Sequence, residues 1–139
     1  MTTKHLVDPE LIPLLDLFPE LILTPESLPQ IRTMLYETSA LQRAEQPEFP
    51  DITVSARLIP GPEDAPDVRI LVYHPRNISM PLPALLWIHG GGYVFGSADQ
   101  ADLQAKTIVA TTGCAVVSVD YRLAPETPHP GPVEDCYAA

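Results

Sequence analysis

"ALLWIHGGGYVFGSADQADLQAKTIVATTGCAVVSVD" (residues 84–120) is the stretch that decides how this chain folds. Its two ends, Ala84–His89 and Cys114–Asp120, are nearly continuous apolar runs, the pattern of parallel strands covered on both faces. Between them Ala101, Ala105, Ile108, Val109 and Thr112 share one helical face, which is expected to pack on the sheet. Ser97 with Gln100 reads as a capping box, and Asp99 and Asp102 suit the electropositive start of a helix. Gly113 sits at the C-terminal stop. Strand, helix and strand together make a βαβ unit with a right-handed crossover. None of the 17 prolines lies within residues 84–124, so the uninterrupted regular structure belongs there.

Upstream, Pro9, Pro13, Pro19 and Pro25 limit residues 1–26 to short, broken helices. Ser27 with Gln30 reads as a second capping box. Leu28, Ile31, Leu35, Thr38 and Leu41 then recur at helical spacing, predicting a helix over about 28–44. "EQPEFP" (45–50) is a linker. "ITVSARLIP" (52–60) and "DVRILVYHP" (67–75) are two strand-like runs joined by the turn-rich "GPEDAP", a hairpin signal. After Asp120, "YRLAPETPHPGP" reads as an extended, proline-rich segment, and "VEDCYAA" as the start of a helix. The expected organisation is therefore residues 1–48 as N-terminal helices and linker, and 49–139 as the sheet-bearing part.

Composition narrows the function classes. Hydrophobic residues make up 45% and charged residues 19% of the 139, an ordinary globular balance. The net charge of −10 disfavours nucleic acid and anionic membrane as partners, because both select a basic face. Cys114 and Cys136 make neither a disulfide framework nor a metal spacing, and both read as reduced thiols, with Cys114 buried in a strand. No run approaches the about 18 apolar residues of a membrane span, and the start has no signal-peptide core. The expectation is a cytoplasmic protein without stable membrane anchoring; oligomeric state is open.

The glycines Gly90, Gly91 and Gly92 fall at the C-terminal end of a strand, where ligands meet such sheets. Glycine lets the backbone turn sharply and approach a ligand closely. Two chemistries use that. In a dinucleotide fold, Gly90, Gly92 and Gly96 mimic a loosened phosphate fingerprint, with Asp120 as the ribose-binding acid, although Tyr93 and Phe95 are bulky for it. In acyl transfer, paired backbone N–H groups stabilise the negative charge that develops on a carbonyl oxygen. A histidine followed by three glycines is the form this loop takes in lipases and esterases.

"HGGGYVFGS" (89–97), "VVSVDYRLAPE" (116–126) and "HPGPVEDCYAA" (129–139) together resemble the hormone-sensitive-lipase-like group of α/β-hydrolases, carboxylesterases and lipases with a Ser–Asp–His triad. The likeness runs from about residue 52 to the end, and the N-terminal helices fit the group's cap more loosely. It implies an α/β-hydrolase fold whose first strands are antiparallel, followed by the parallel βαβ unit. It also implies that the Gly91 and Gly92 amides form an oxyanion hole, that Gly90 lets the loop turn, and that His89 holds the loop rather than acting as base. Tyr93 would border the acyl or alcohol pocket of a small-molecule ester, covered by residues up to about 44. Neither metal nor organic cofactor is implied.

Other polar residues have plainer readings. Asp120 and Arg122 order the strand end and the loop after it. Glu126, Glu134 and Asp135 are read as helix-capping or solvent-exposed rather than as a triad acid. His129 is local loop structure, and His5 and His74 have no identifiable partners.

The nucleophile of the resembling group sits in a G-x-S-x-G elbow. None of Ser27, Ser39, Ser55, Ser79, Ser97 and Ser118 has that glycine frame. The expectation is the N-terminal part of an esterase, inactive and marginally folded by itself, because such a domain commonly needs upwards of about 200 residues. Strand 84–89 would then keep one edge unpaired, an invitation to association. A non-catalytic ligand-binding relative of the same fold, or an inactive truncated fragment, is the alternative.

Overall fold

A computed structural model of the chain describes residues 3–15, 17, 22–63, 65–78 and 80–139, with the side chain of Lys4 left aside. Pro19, Asp64 of the hairpin connection and Ser79 lie outside the described residues. Short 3-10 turns at Lys4–Leu6 and Pro9–Leu11 lead into α1 (Ile12–Leu15), matching the broken helices that the prolines predict. Helix α2 spans Leu28–Ala44. Strands β1 (Ile52–Ile59), β2 (Val68–Pro75) and β3 (Ala84–Ile88) follow. A 3-10 turn (Ala98–Ala101) then opens α3 (Asp102–Thr112), and β4 (Ala115–Asp120) and α4 (Gly131–Ala138) complete the chain.

The sheet order is β1-β2-β4-β3. β1 and β2 form the expected antiparallel hairpin, in register from Ile52 opposite Pro75 to Ile59 opposite Val68. β2 pairs antiparallel with β4, and β3 pairs parallel with β4. The β3–α3–β4 crossover is the anticipated βαβ unit, in a mixed sheet.

Alternation along the two central strands sorts their side chains between two cores. Leu71, Tyr73 and Val116 meet Ala105 and Val109 of α3 on one face. Ile70, Val119 and Tyr121 meet Cys136 of α4 on the other. The buried Leu, Ile and Val side chains among these contribute roughly 1.5–3 kcal/mol each. β4 is thus covered on both faces, as its apolar run requires. β3 is not. It is the edge strand beside β4, and Leu86 and Ile88 are 45% and 50% exposed, outside the cluster that Cys136 of α4 forms with Val119 of the neighbouring strand.

Several local expectations are corrected. Neither capping box forms: Ser27 and Ser97 make no side-chain bond to their helices. The Ser27 hydroxyl instead donates to Ile22 O at 2.7 Å and accepts the Thr24 N–H at 2.9 Å, closing the turn ahead of α2. Thr112 is exposed and bonds back to Ile108 O rather than facing the sheet. Cys114 lies one residue before β4, half-buried rather than buried within the strand. The segment after β4 is not simply extended, since Thr127 N–H donates to Leu123 O and folds it into a turn. Gly113 does stop α3, with φ 71° and its N–H on Val109 O.

In α2, Leu28 and Ile31 are buried and Leu35 half-buried, but Thr38 and Leu41 face solvent. The docking face drifts because two arginines, three turns apart, reach the body of the molecule. Arg43 pairs with Asp99 at 2.9 Å, and Asp99 also holds Arg69 of β2 at 2.8 Å. Burial works against the charge of Asp99, yet its bonds to Arg69 and Arg43 outweigh this and hold the carboxyl below the ordinary range. Arg122 does the same for the buried Asp135.

A carboxyl that titrates lower when folded binds its proton more readily once unfolded. Such groups contribute their stability above the unfolded pKa of about 3.9 and lose it as the pH falls through the folded value. The urea midpoint is therefore expected to be level from about pH 7 to about pH 5.5, and to fall below about pH 4. A midpoint unchanged down to about pH 3 would contradict these pairings.

Candidate active site

His89 leaves the end of β3 and turns inward, 6% exposed. Its Nδ1 donates to Gly90 O at 2.8 Å, since a carbonyl can only accept. Its ring stacks on Tyr121 at 4.1 Å, and the Tyr121 hydroxyl donates to His89 O at 2.7 Å. Residues just past two adjacent parallel strands thereby lock one another, and burial pushes the Tyr121 phenol up. His89 Nε2 is buried with no partner among the described residues.

The chain then reverses over Gly91, Gly92 and Tyr93, at φ 126°, 59° and 64°. Val94 and Phe95 N–H both donate to Gly91 O, at 3.1 and 3.2 Å. At Gly91 any Cβ would overlap the Phe95 carbonyl, and at Gly96 it would enter the His89 ring. Glycine is required at both by sterics as well as by φ. Gly90 is a correction: it has no positive φ, and a Cβ there would meet nothing. The reversal belongs to residues 91–93. Among the described residues, the N–H groups of Gly91 and Gly92 donate to no protein acceptor. Gly91 is half-buried and Gly92 exposed, so two main-chain donors stand open beside a fixed turn.

The far end of this loop is held by β4. Ser118 and Asp120 point to one side of the strand. Ser118 Oγ donates to Ala98 O at 3.1 Å, and Asp120 Oδ1 accepts the Ala98 N–H at 3.0 Å. Both backbone groups of Ala98 are satisfied by one strand, and Asp120 takes the capping role that the sequence suggests for Ser97. Asp120 also pairs with Arg69 at 3.0 Å. So engaged, it is no ribose ligand, and the dinucleotide reading fails.

The near end is held by α2. Arg32 Nε donates to Val94 O at 2.7 Å, and Nη2 to Ala124 O at 2.6 Å. The same guanidinium pairs with Glu126. Sequence reasoning does not single out Arg32; its one signal is a cation beside Ile31 in the apolar stripe. The surroundings of the three acids differ from those expected. Glu126 is exposed yet paired, Glu134 is exposed in the first turn of α4, and Asp135 is fully buried. Asp135 is therefore neither cap nor solvent-facing: Arg122 donates to it from Nη2 at 2.7 Å, Nε at 2.8 Å and its backbone N–H at 2.9 Å.

Two of the clefts beside the loop border its reversal. One, of about 310 Å³, is bordered by His89, Gly90, Gly91, Trp87, Gln100 and Gln104. The other, about 390 Å³ and mostly apolar, lies between Tyr93, Ala124, His129, Pro132 and Val133. Tyr93 is half exposed on its wall, and its carbonyl accepts the Ala124 N–H at 2.8 Å. His129 is thus at a cleft rim rather than only within a loop. Gly91 and Tyr93 stand on different clefts of the same reversal.

Comparison with known proteins agrees with this arrangement. The family described as the alpha/beta hydrolase fold matches residues 85–139. Carboxylesterase NlhH of Mycobacterium tuberculosis is 34% identical over 134 residues, covering 96% of this chain and 40% of that protein. Among solved structures, a bacterial heroin esterase superposes with a TM-score of 0.82 at 38% identity, over 99% of this chain and 42% of its own. An esterase from the archaeon Pyrobaculum calidifontis gives 0.74 at 33% identity, over 95% and 40%. The chain thus spans about two-fifths of the length of these relatives. Loop, sheet order and relatives converge: the chain carries part of an α/β-hydrolase fold and is similar, over that part, to hormone-sensitive-lipase-like esterases.

Proposed function

We propose that this chain is part of a carboxylic-ester hydrolase that works through a serine acyl-enzyme, and that it supplies the oxyanion-stabilising loop. The Gly91 and Gly92 N–H groups neutralise the charge that forms on the ester carbonyl oxygen when the serine attacks and again when water releases the acyl group. His89 supports the loop. Tyr93 borders the apolar part of a small-molecule ester, and the N-terminal segment up to about residue 44 covers that pocket. The serine, acid and base are placed outside these residues, since no serine here has the elbow frame. One observation carries this reading: two main-chain donors without acceptors among the described residues, on a turn whose geometry admits only glycine at its first position.

The test replaces the matching portion of NlhH with this chain. The chimera is expected to hydrolyse short p-nitrophenyl esters, and Gly91→Pro, which removes one donor, to lower kcat by about 100-fold or more. The 139-residue chain alone is expected to show no hydrolysis above its own Gly91→Pro control. A folded chimera without esterase activity, or an active lone chain, would overturn the proposal.

A further inference from the structure

Arg32 makes contacts that few single side chains make. It lies on α2, remote in sequence from the loop it touches, and donates to Val94 O, two residues beyond the Gly91–Gly92 pair, and to Ala124 O, in the segment after β4. Those segments are also joined directly by Ala124 N–H on Tyr93 O. One guanidinium therefore fixes three things at once: the helix, the glycine loop and the strand-end segment behind it. The planar fork of arginine suits this, because its donors leave in fixed directions.

The partners differ in weight. Glu126 is 63% exposed, and exposed ion pairs contribute little. The two carbonyl bonds are charge-assisted and part-buried, and belong to the stronger class. The surface pair then orients the guanidinium, and the carbonyl bonds hold the loop.

We propose that Arg32 is a positioning residue for the glycine loop, transmitting the docking of helix α2 to the backbone that presents Gly91 and Gly92. Displacing α2 releases both carbonyls together and loosens the reversal at residues 91–95. The consequence for ester chemistry rests on the function proposed above; the mechanical coupling does not.

Amide hydrogen exchange on the full 139-residue chain, without substrate, tests the coupling apart from that function. The reporting amides are Val94, Phe95 and Ala124, whose N–H groups close the loop and join it to the strand-end segment. In Arg32→Gln their exchange is expected to rise about tenfold, with Val116–Val119 of β4 changed less than about twofold. Arg32→Lys, which keeps the charge and one donor group, is expected to recover part of the protection. Glu126→Gln is expected to change the three amides less than about twofold. A merely structural role for Arg32 moves β4 together with the loop. Equal effects of Arg32→Gln and Glu126→Gln, a uniform rise including β4, no change, or absence of protection at these amides in the unsubstituted chain each overturn the proposal.

Discussion

Gly91→Ala is expected to destroy the glycine loop, Gly96→Ala to come close behind, and Gly90→Ala to leave it intact. The order follows from what each added methyl group meets. At Gly91 φ is 126°, outside what L residues adopt, and the Cβ would occupy the space of the Phe95 carbonyl. That carbonyl belongs to a residue whose own N–H is tied to Gly91 O, so it cannot move without opening the turn. At Gly96 φ is 114°, and the obstacle is the His89 ring, itself pinned by the stack on Tyr121. The expected loss is about 3 kcal/mol or more at each of these two positions. Gly92→Ala meets open space at φ 59°, so only the left-handed backbone is penalised, by about 1 kcal/mol. Gly90→Ala is expected to stay within about 0.5 kcal/mol. Urea midpoints of the four variants measure the series. Equal losses at Gly90 and Gly91 would mean that the reversal is not built as described. Under the function proposed above, the same order is expected for kcat in the NlhH chimera, because on that reading a distorted loop misdirects the donors that face the developing charge.

The architecture was legible where the information is local. Apolar runs at 84–88 and 115–119, a helical face of Ala101, Ala105 and Val109, and a glycine stop at Gly113 each follow from one stretch of backbone. The hairpin could be read for the same reason. The errors occur where a residue's surroundings come from distant sequence. Thr38 and Leu41 fit the period of α2, but its docking angle is set by Arg32 and Arg43, whose partners lie 56 to 94 residues away. Ser97 has the identity of a cap, yet Asp120, 22 residues beyond Ala98, is the group that reaches the Ala98 N–H. β3 has the composition of a covered strand and takes the unpaired edge expected of it, but Leu86 and Ile88 stay exposed, a matter of what packs beside it rather than of its own residues.

The site divides in the same way. His89, Gly91, Gly92 and Tyr93 are contiguous, so their proximity needed no fold to be known. Which glycine makes the turn did need it, because three identical residues in a row carry no mark of φ. Arg32 and Asp135 were missed or misread, since an isolated charge looks the same whether solvated or paired across the fold.

Asp135 and Arg122 lead to the second large effect, with an asymmetry that identifies its cause. The Asp135 carboxylate is fully buried, whereas the Arg122 side chain is 30% exposed. Arg122→Ala removes the guanidinium bonds and leaves a buried charge with, among the described residues, only the backbone N–H of residue 122 as donor. The expected loss is about 3–5 kcal/mol at neutral pH, enough to unfold a marginal domain. Asp135→Asn leaves Arg122 free to reach water and is expected to lose less, about 1–3 kcal/mol. Acid separates this account from simple loss of packing. In the unsubstituted chain Arg122 holds the Asp135 carboxyl low, so acid weakens the pair. Without the guanidinium, burial alone favours the protonated form, and Asp135 can shed its charge on folding as the pH falls. The gap between Arg122→Ala and the unsubstituted chain is therefore expected to narrow from pH 7 towards about pH 4.5, read from urea midpoints at each pH. A gap independent of pH would show that Arg122 acts through its hydrocarbon stem and not through the charge it neutralises.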